Sequence, residues 1–404
     1  MNRRITEAIN GMKISPGGGF CRGIALLTSQ AWLSGEEEAL QQLVQLMRRI
    51  NPQIMHFAIA QAKRRLVAHS GNAKTVMIAV NAFLECIALA QNAERFPGLF
   101  AKNSVPRSQR EMKAMLSLIA SKKMEDAGGM HLIKSFSGLY QDKLELAAYL
   151  TSMVNHLHTV APEFTGRISI TLQSINHSYM IGYDASMMSF YMNDDDKESY
   201  KSFAETLELA EVLMQEFNEK DITVFSTEVY ASGRDKNVIT AVMESYCKSD
   251  VYNSFHDVNK KALLMGKNNV TWLLVASQNG HAETVMKLLA AGADANQADA
   301  SNRFALLYAA ETGAADVVSI LLNGGANINQ VDNDNSTALI CTSDCGYLEV
   351  VKVLLAADAD TSIIATDVNQ TAEMFAMTSG HDDIATLIHD YEMTKVQLNT
   401  CVIC

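Results

Sequence analysis

Proline is scarce and unevenly placed. The chain of 404 residues has five, at positions 16, 52, 97, 106 and 162. Every turn beyond Pro162 is therefore made without its rigidity. Basic charge is also in deficit, with 33 Lys and Arg against 45 Asp and Glu and a net charge of -12. Phosphate contacts need a basic face, so this balance excludes nucleic acid as a partner. The local clusters Arg48-Arg49 and Lys63-Arg64-Arg65 fall in helical sequence and read as a solvated helix face. No apolar run approaches the roughly 18 residues of a membrane-spanning helix. Met1-Asn-Arg-Arg-Ile-Thr-Glu7 lacks the apolar centre of a signal peptide. The seven cysteines stand at 21, 86, 247, 341, 345, 401 and 404, an odd count with no repeated metal-type spacing. That excludes a disulfide framework and a zinc site, and it fits a reducing compartment. No cofactor motif is read either. What remains is ordinary globular composition, 48% hydrophobic and 19% charged, with length for two or three domains.

The C-terminal third repeats itself. Gly280-His281, Gly313-Ala314, Gly346-Tyr347 and Gly380-His381 recur about every 33 residues. In register with them run Thr271-Trp-Leu-Leu-Val-Ala276, Phe304-Ala-Leu-Leu-Tyr-Ala309, Thr337-Ala-Leu-Ile-Cys341 and Thr371-Ala-Glu-Met-Phe-Ala376. The first three units close with a second apolar helix, such as Val317-Val-Ser-Ile-Leu-Leu322, and a turn such as Gly325-Ala-Asn-Ile-Asn329. This pattern resembles the ankyrin repeat over about residues 268–390. Trp272 replaces the usual proline of the opening motif, and Ala takes that place in the other units. The fourth unit reads as a cap. The resemblance implies an all-α solenoid with a protein-binding surface.

Before the repeats, residues 36–160 read as mainly helical, with amphipathic or apolar stretches at 37–49, 73–90, 110–119 and 144–158. From Gly166 the pattern changes. Ile168–Leu172 alternates, His177–Tyr183 and Met187–Met192 read as strands, Glu198–Asn218 as a helix and Ile222–Tyr230 as a strand. An α+β domain over residues 1–250 is expected, then a linker at 251–267, the repeats at 268–390 and a tail at 391–404.

Cys21 is the most suggestive residue. Gly17-Gly-Gly-Phe-Cys21 leads from a flexible approach into an apolar helical run, and a thiol at a first helical turn is pushed toward the thiolate. Such a nucleophile needs a base and a group that orients the base. Of the ten histidines, His281 and His381 hold repeat positions, and His177 differs in opening a strand. Asn193 and Asp194 close the next strand, where a hairpin sets them beside His177. The acidic run they open also reads as the cap of a following helix.

Gly19-Phe-Cys21-Arg-Gly23 with Trp32, and His177 at a strand start, resemble the YopT-like bacterial effector cysteine proteases, which have a papain-like fold. The likeness covers about residues 10–235 and implies Cys21 as nucleophile, His177 as base and Asn193, or Asp194, as orienter. It departs at Phe190-Tyr-Met-Asn193-Asp194, which lacks the family's proline. It departs again before Cys21, where no glutamine supplies an oxyanion amide and only Asn10 or Ser15 are at hand. The chain ends Cys401-Val-Ile-Cys404, the pattern of a prenylation motif, with no polybasic patch before it. Together these features resemble the ankyrin effectors that intracellular bacteria such as Legionella inject into eukaryotic cells. The expectation is an effector in the host cytoplasm, held at host membranes by prenylated Cys401, that attacks a host-protein amide while the repeats grip the target. A deamidase or acyltransferase with the same residues, or a catalytically inactive adaptor, remain the alternatives.

Overall fold

A computed structural model describes residues 21–36, 122–175, 177–194, 199–217, 222–366 and 369–401. The helices expected at 37–49, 73–90 and 110–119 lie outside the described residues, as do Asn10, Ser15, Gly17–Phe20 and Val402–Cys404. The chain divides into two compact units. The first comprises residues 1–135, 143–218 and 227–254; the second comprises 136–142, 219–226 and 255–404.

The first unit is α+β, though residues 136–140 and 223–226 of two of the strands belong to the second unit. Six strands, β1 (Met130–Tyr140), β2 (Arg167–Gln173), β3 (Ser178–Asp184), β4 (Ser189–Asp194), β5 (Ser199–Phe203) and β6 (Thr223–Ser232), form one sheet in the order β1-β6-β2-β3-β4-β5. The run β2-β3-β4-β5 is antiparallel, with Arg167 opposite Asp184, Asp184 opposite Ser189 and Phe190 opposite Phe203. Helix α1 (Cys21–Ser34) packs on β2 and β3. A short α2 (Lys122–Asp126) precedes β1, and α3 (Lys143–Val160), α4 (Thr206–Glu216) and α5 (Lys236–Tyr246) complete the unit. The β3–β4 turn is set by Asp184, whose Oδ1 accepts from the Ser186 and Met187 amides and the Ser186 hydroxyl. Burial works to raise its pKa. The Ser186 hydroxyl, the Arg167 guanidinium and the Met187 amide overcome that and hold the carboxyl below its usual value.

Two local expectations are corrected here. Residues 130–140 form a strand inside the stretch read as helical, because Gly138 and Met130-His-Leu-Ile lack a 3.6-residue apolar period. The segment 198–218 is not one helix. Ser199–Phe203 pairs with β4, burying Phe203, and α4 begins only at Thr206.

The second unit is a stack of four helix pairs. First helices α8 (Trp272–Gln278), α10 (Ala305–Glu311), α12 (Ala338–Cys345) and α14 (Ala372–Thr378) lie against one another. Second helices α9 (Ala282–Ala290), α11 (Ala315–Asn323), α13 (Leu348–Ala356) and α15 (Asp382–Cys401) make the other layer. Thr271, Thr337 and Thr371 cap three of the four first helices, each hydroxyl accepting an amide three residues on, while Phe304 before α10 supplies no such bond. The glycines at 280, 313, 346 and 380 take positive φ, from 68° to 82°, and release each chain into its second helix.

The stretch 251–267, read as a linker, carries two short helices, α6 (Asp250–Phe255) and α7 (Val258–Lys261). Buried Lys261 donates to the carbonyls of Leu139 and Phe255, both at 2.7 Å, which ties this stretch to β1. Trp272 explains its own departure from the repeat pattern. It is 1% exposed, and its Nε1 donates to Ser137 Oγ at 3.0 Å. Tyr140 stacks on Phe225 beside it, with ring centroids 5.0 Å apart. Residues 136–142 and 222–226 thus close the open end of the first repeat. The tail also differs from expectation. Residues 382–401 lack Gly and Pro and continue as one helix, and Tyr391 and Lys395 of that helix bind Asp358.

Candidate functional site

The sequence-derived site falls on the first unit. Trp32 is 2% exposed, and its Nε1 donates to the Ile168 carbonyl at 3.0 Å. It lies so close over Gly182 that a Cβ there would meet the indole at 2.3 Å. Ser29 bonds Ser169 at 2.8 Å and Thr171 at 3.4 Å. Moving back along α1 from Trp32 to Ser29 therefore moves forward along β2, so helix and strand are antiparallel. Cys21 lies eight residues, roughly 12 Å, further along the helix, toward the β2–β3 hairpin. His177 stands in that hairpin, its carbonyl accepting from the Ser174 amide at 2.9 Å. Asn193 and Asp194 close β4 at the same end of the sheet, opposite Tyr200 and Ser199.

One end of the sheet thus collects the backbone positions of all four residues, but the sheet has two faces there. Ser169 pairs with Gly182 and Thr171 with Met180, and these make the face under α1. The alternate residues Tyr179 and Tyr183 turn the other way: Tyr183 bonds His158 of α3 and Tyr179 bonds the Glu216 carbonyl of α4. The exposed His177 ring is 6.4 Å from Tyr179, two residues on, and shares that second face. The described geometry does not bring His177 onto the face of α1. What does occupy that face at the hairpin end is a buried carboxylate that sequence reasoning passed over. Glu228, 3% exposed, accepts from Gln173 Nε2 at 2.6 Å and from the Tyr230 hydroxyl at 2.7 Å. A charged residue inside a β-branched run was its signal. Cys401 ends α15. Burial pushes the Cys247 thiol up to about 11, and burial with neighbouring carboxylates raises Cys341 well above its ordinary value, which disfavours the thiolate at both. Among the described residues no cluster of three or more metal-binding side chains occurs, and no helix is long and apolar enough to cross a membrane.

The second unit offers a surface rather than a catalytic group. Between successive repeats the loops extend as fingers. Asn302, Asn335 and Asn369 sit at equivalent positions with φ of 59°, 58° and 55°, a left-handed conformation that asparagine tolerates. The fingers are stitched to one another. Asn302 Nδ2 donates to the Val331 carbonyl at 3.2 Å and Asn335 Nδ2 to the Ile364 carbonyl at 2.7 Å. Asn296 Nδ2 donates to the Gly325 carbonyl, and its Oδ1 accepts from the Asn327 amide at 2.6 Å. At the centre Arg303 pairs with Glu311 and lies 4.6 Å from the centroid of the Tyr308 ring, whose hydroxyl donates to Asp299 at 2.7 Å. Burial raises Glu311, opposed by the Arg303 charge, while burial and the Asp299 bond raise Tyr308. The sequence reading missed this cluster. Its trace is that Arg303 is the only basic residue between Lys287 and Lys352.

No curated protein matches the chain. A family model does: residues 273–367 are ankyrin repeats, in three copies.

Proposed function

We propose that this chain is a protein-binding adaptor whose ankyrin repeats hold a partner on their fingers and first helices. One observation carries the reading, the side-chain stitching of each finger to the next. Loops fixed before an encounter do not lose conformational freedom on binding, and that loss is a principal cost of association. A photo-crosslinker at Asp334, on a finger, should capture a saturable partner that unlabelled protein competes away. The same group at Asp316 of α11 should not. Failure to saturate at Asp334 overturns the reading.

A second reading keeps the first unit as a thiol-dependent hydrolase or acyltransferase. It is favoured by the position of Cys21 at the start of a helix packed across β2 and β3, with its N-terminus toward the His177 hairpin. It requires the His177 ring to turn across the hairpin, or a different base from the α1 face. An iodoacetamide rate for Cys21 that rises below the ordinary thiol range and changes with His177→Ala supports it. Reaction at the rate of free cysteine, unchanged by that substitution, removes it. The injected-effector setting and a prenyl group on Cys401 belong to the same proposal. Cys401→Ser should release the protein from host membranes, and unchanged membrane association excludes the lipid.

A further inference from the structure

We propose that the fingers and first helices dock a basic protein partner, a surface rich in lysine and arginine. This deepens the protein-binding reading above and rests on it. Between residues 268 and 390 the chain has sixteen carboxylates and three basic residues, Lys287, Arg303 and Lys352, a net charge of -13 against -12 for the whole chain. The repeats therefore hold the entire charge imbalance, and everything outside them is close to neutral. All three cations are already spent, in pairs with Glu283, Glu311 and Glu349.

The charge is also one-sided. Both lysines lie on second helices, α9 and α13, among six carboxylates of that layer. The others, apart from Asp367 outside the described residues, belong to first helices or to the loops between repeats, where the basic residues are Arg303 and, just before residue 268, Lys267; one of these carboxylates, Asp358, is paired with Lys395 of α15.

The fold does not require this charge. Asp294 Oδ1 accepts the Asn296 amide at 2.9 Å and Asp360 Oδ1 the Ser362 amide at 2.9 Å. At the equivalent place in the middle repeat Asn327 makes the same bond to the Asn329 amide at 3.1 Å. A neutral amide thus sets this turn as well as a carboxylate does. Clustered like charge repels itself, and a complementary partner relieves that repulsion while gaining in association rate. A second copy of this chain supplies no such complement, because its own stack is acidic and the remainder nearly neutral.

The test uses the full chain and two fluorescent probes, oligolysine and oligoglutamate, followed by anisotropy. One variant combines Asp294→Asn, Asp334→Asn, Asp344→Asn and Asp360→Asn, which removes four charges from the finger side. Its control, Glu283→Gln with Asp316→Asn, Glu349→Gln and Asp383→Asn, removes four from the second helices. Oligolysine should bind and oligoglutamate should not. The finger variant should lose about tenfold in affinity and the control about twofold or less, both differences shrinking with added salt. Equal losses in the two variants, or no oligolysine binding, overturn the proposal. Crosslinking at Ser301, an exposed finger residue whose side chain makes none of the stitching bonds, separates it from the reading beneath it. A saturable partner that is neutral or acidic, captured equally by the finger variant, sinks the basic-partner proposal alone. No saturable partner sinks both.

Discussion

The repeat stack and the six-stranded sheet solve the same problem, burial of apolar surface, with contacts of different reach. In the stack each helix touches the helix about 33 residues away, and each finger bonds the next finger. In the sheet β6 lies between β1 and β2, so strands far apart in sequence become neighbours. A perturbation in the stack should stay local, because nearest-neighbour terms dominate there. One in the sheet should propagate to strands with no nearby sequence.

The largest test of this contrast is Trp272, where the stack breaks its own rule by reaching back to Ser137. Trp272→Ala should cost about 3–5 kcal/mol by urea unfolding. A chain beginning at residue 251, without 136–142 and 219–226, should lose cooperative unfolding altogether. A stable, cooperative 251–404 fragment would erase the exception. In the sheet, Gly182→Ala sets a methyl against the Trp32 indole. It should cost about 1–3 kcal/mol by the same measurement and speed amide exchange on β2 and β3. Exchange confined to α1 would make the sheet as local as the stack.

Asn296→Ala removes two bonds that stitch neighbouring fingers. A loss of about 2 kcal/mol is expected, with faster exchange at residues 325–331 and no change in the sheet. The smallest effect is a pH dependence. Burial lowers the His281 pKa to about 4. The unfolded chain takes up this proton near pH 6.5 while the folded one resists it. The contribution is thus complete above about pH 6.5 and is lost as pH falls toward 4. Because the residue is partly accessible, roughly 1–2 kcal/mol is expected over that window, well under the full linkage value. His281→Asn should flatten the pH profile of stability by that amount relative to wild type.

Legibility in the sequence follows the same contrast. The repeats are readable because Gly280, Gly313, Gly346 and Gly380 each return the chain to one conformation at one period. The α+β character of the first unit is readable from Ile168–Leu172 and Ile222–Tyr230, which became β2 and β6. Strand β5 is not, because Phe203, Leu207 and Leu209 continue a helical spacing across Glu205, and only pairing with β4 decides the matter. At the candidate site, sequence order brings Cys21, His177 and Asn193 to one end of the sheet. It does not say which face His177 takes, since a shift of one residue in a hairpin exchanges the faces. The Arg303 cluster was illegible for a related reason, as its members become neighbours only when the finger folds back on α10.

Trp272 has a consequence for how such a protein changes over time. A repeat array is ordinarily a cassette that lengthens, shortens or moves between chains by duplicating a unit at either end. Here one end is closed by residues 136–142 and 222–226, through a side chain the other repeats lack. New units at that end must carry a tryptophan or lose the closure. The array is free to grow only from the other end, beyond α15.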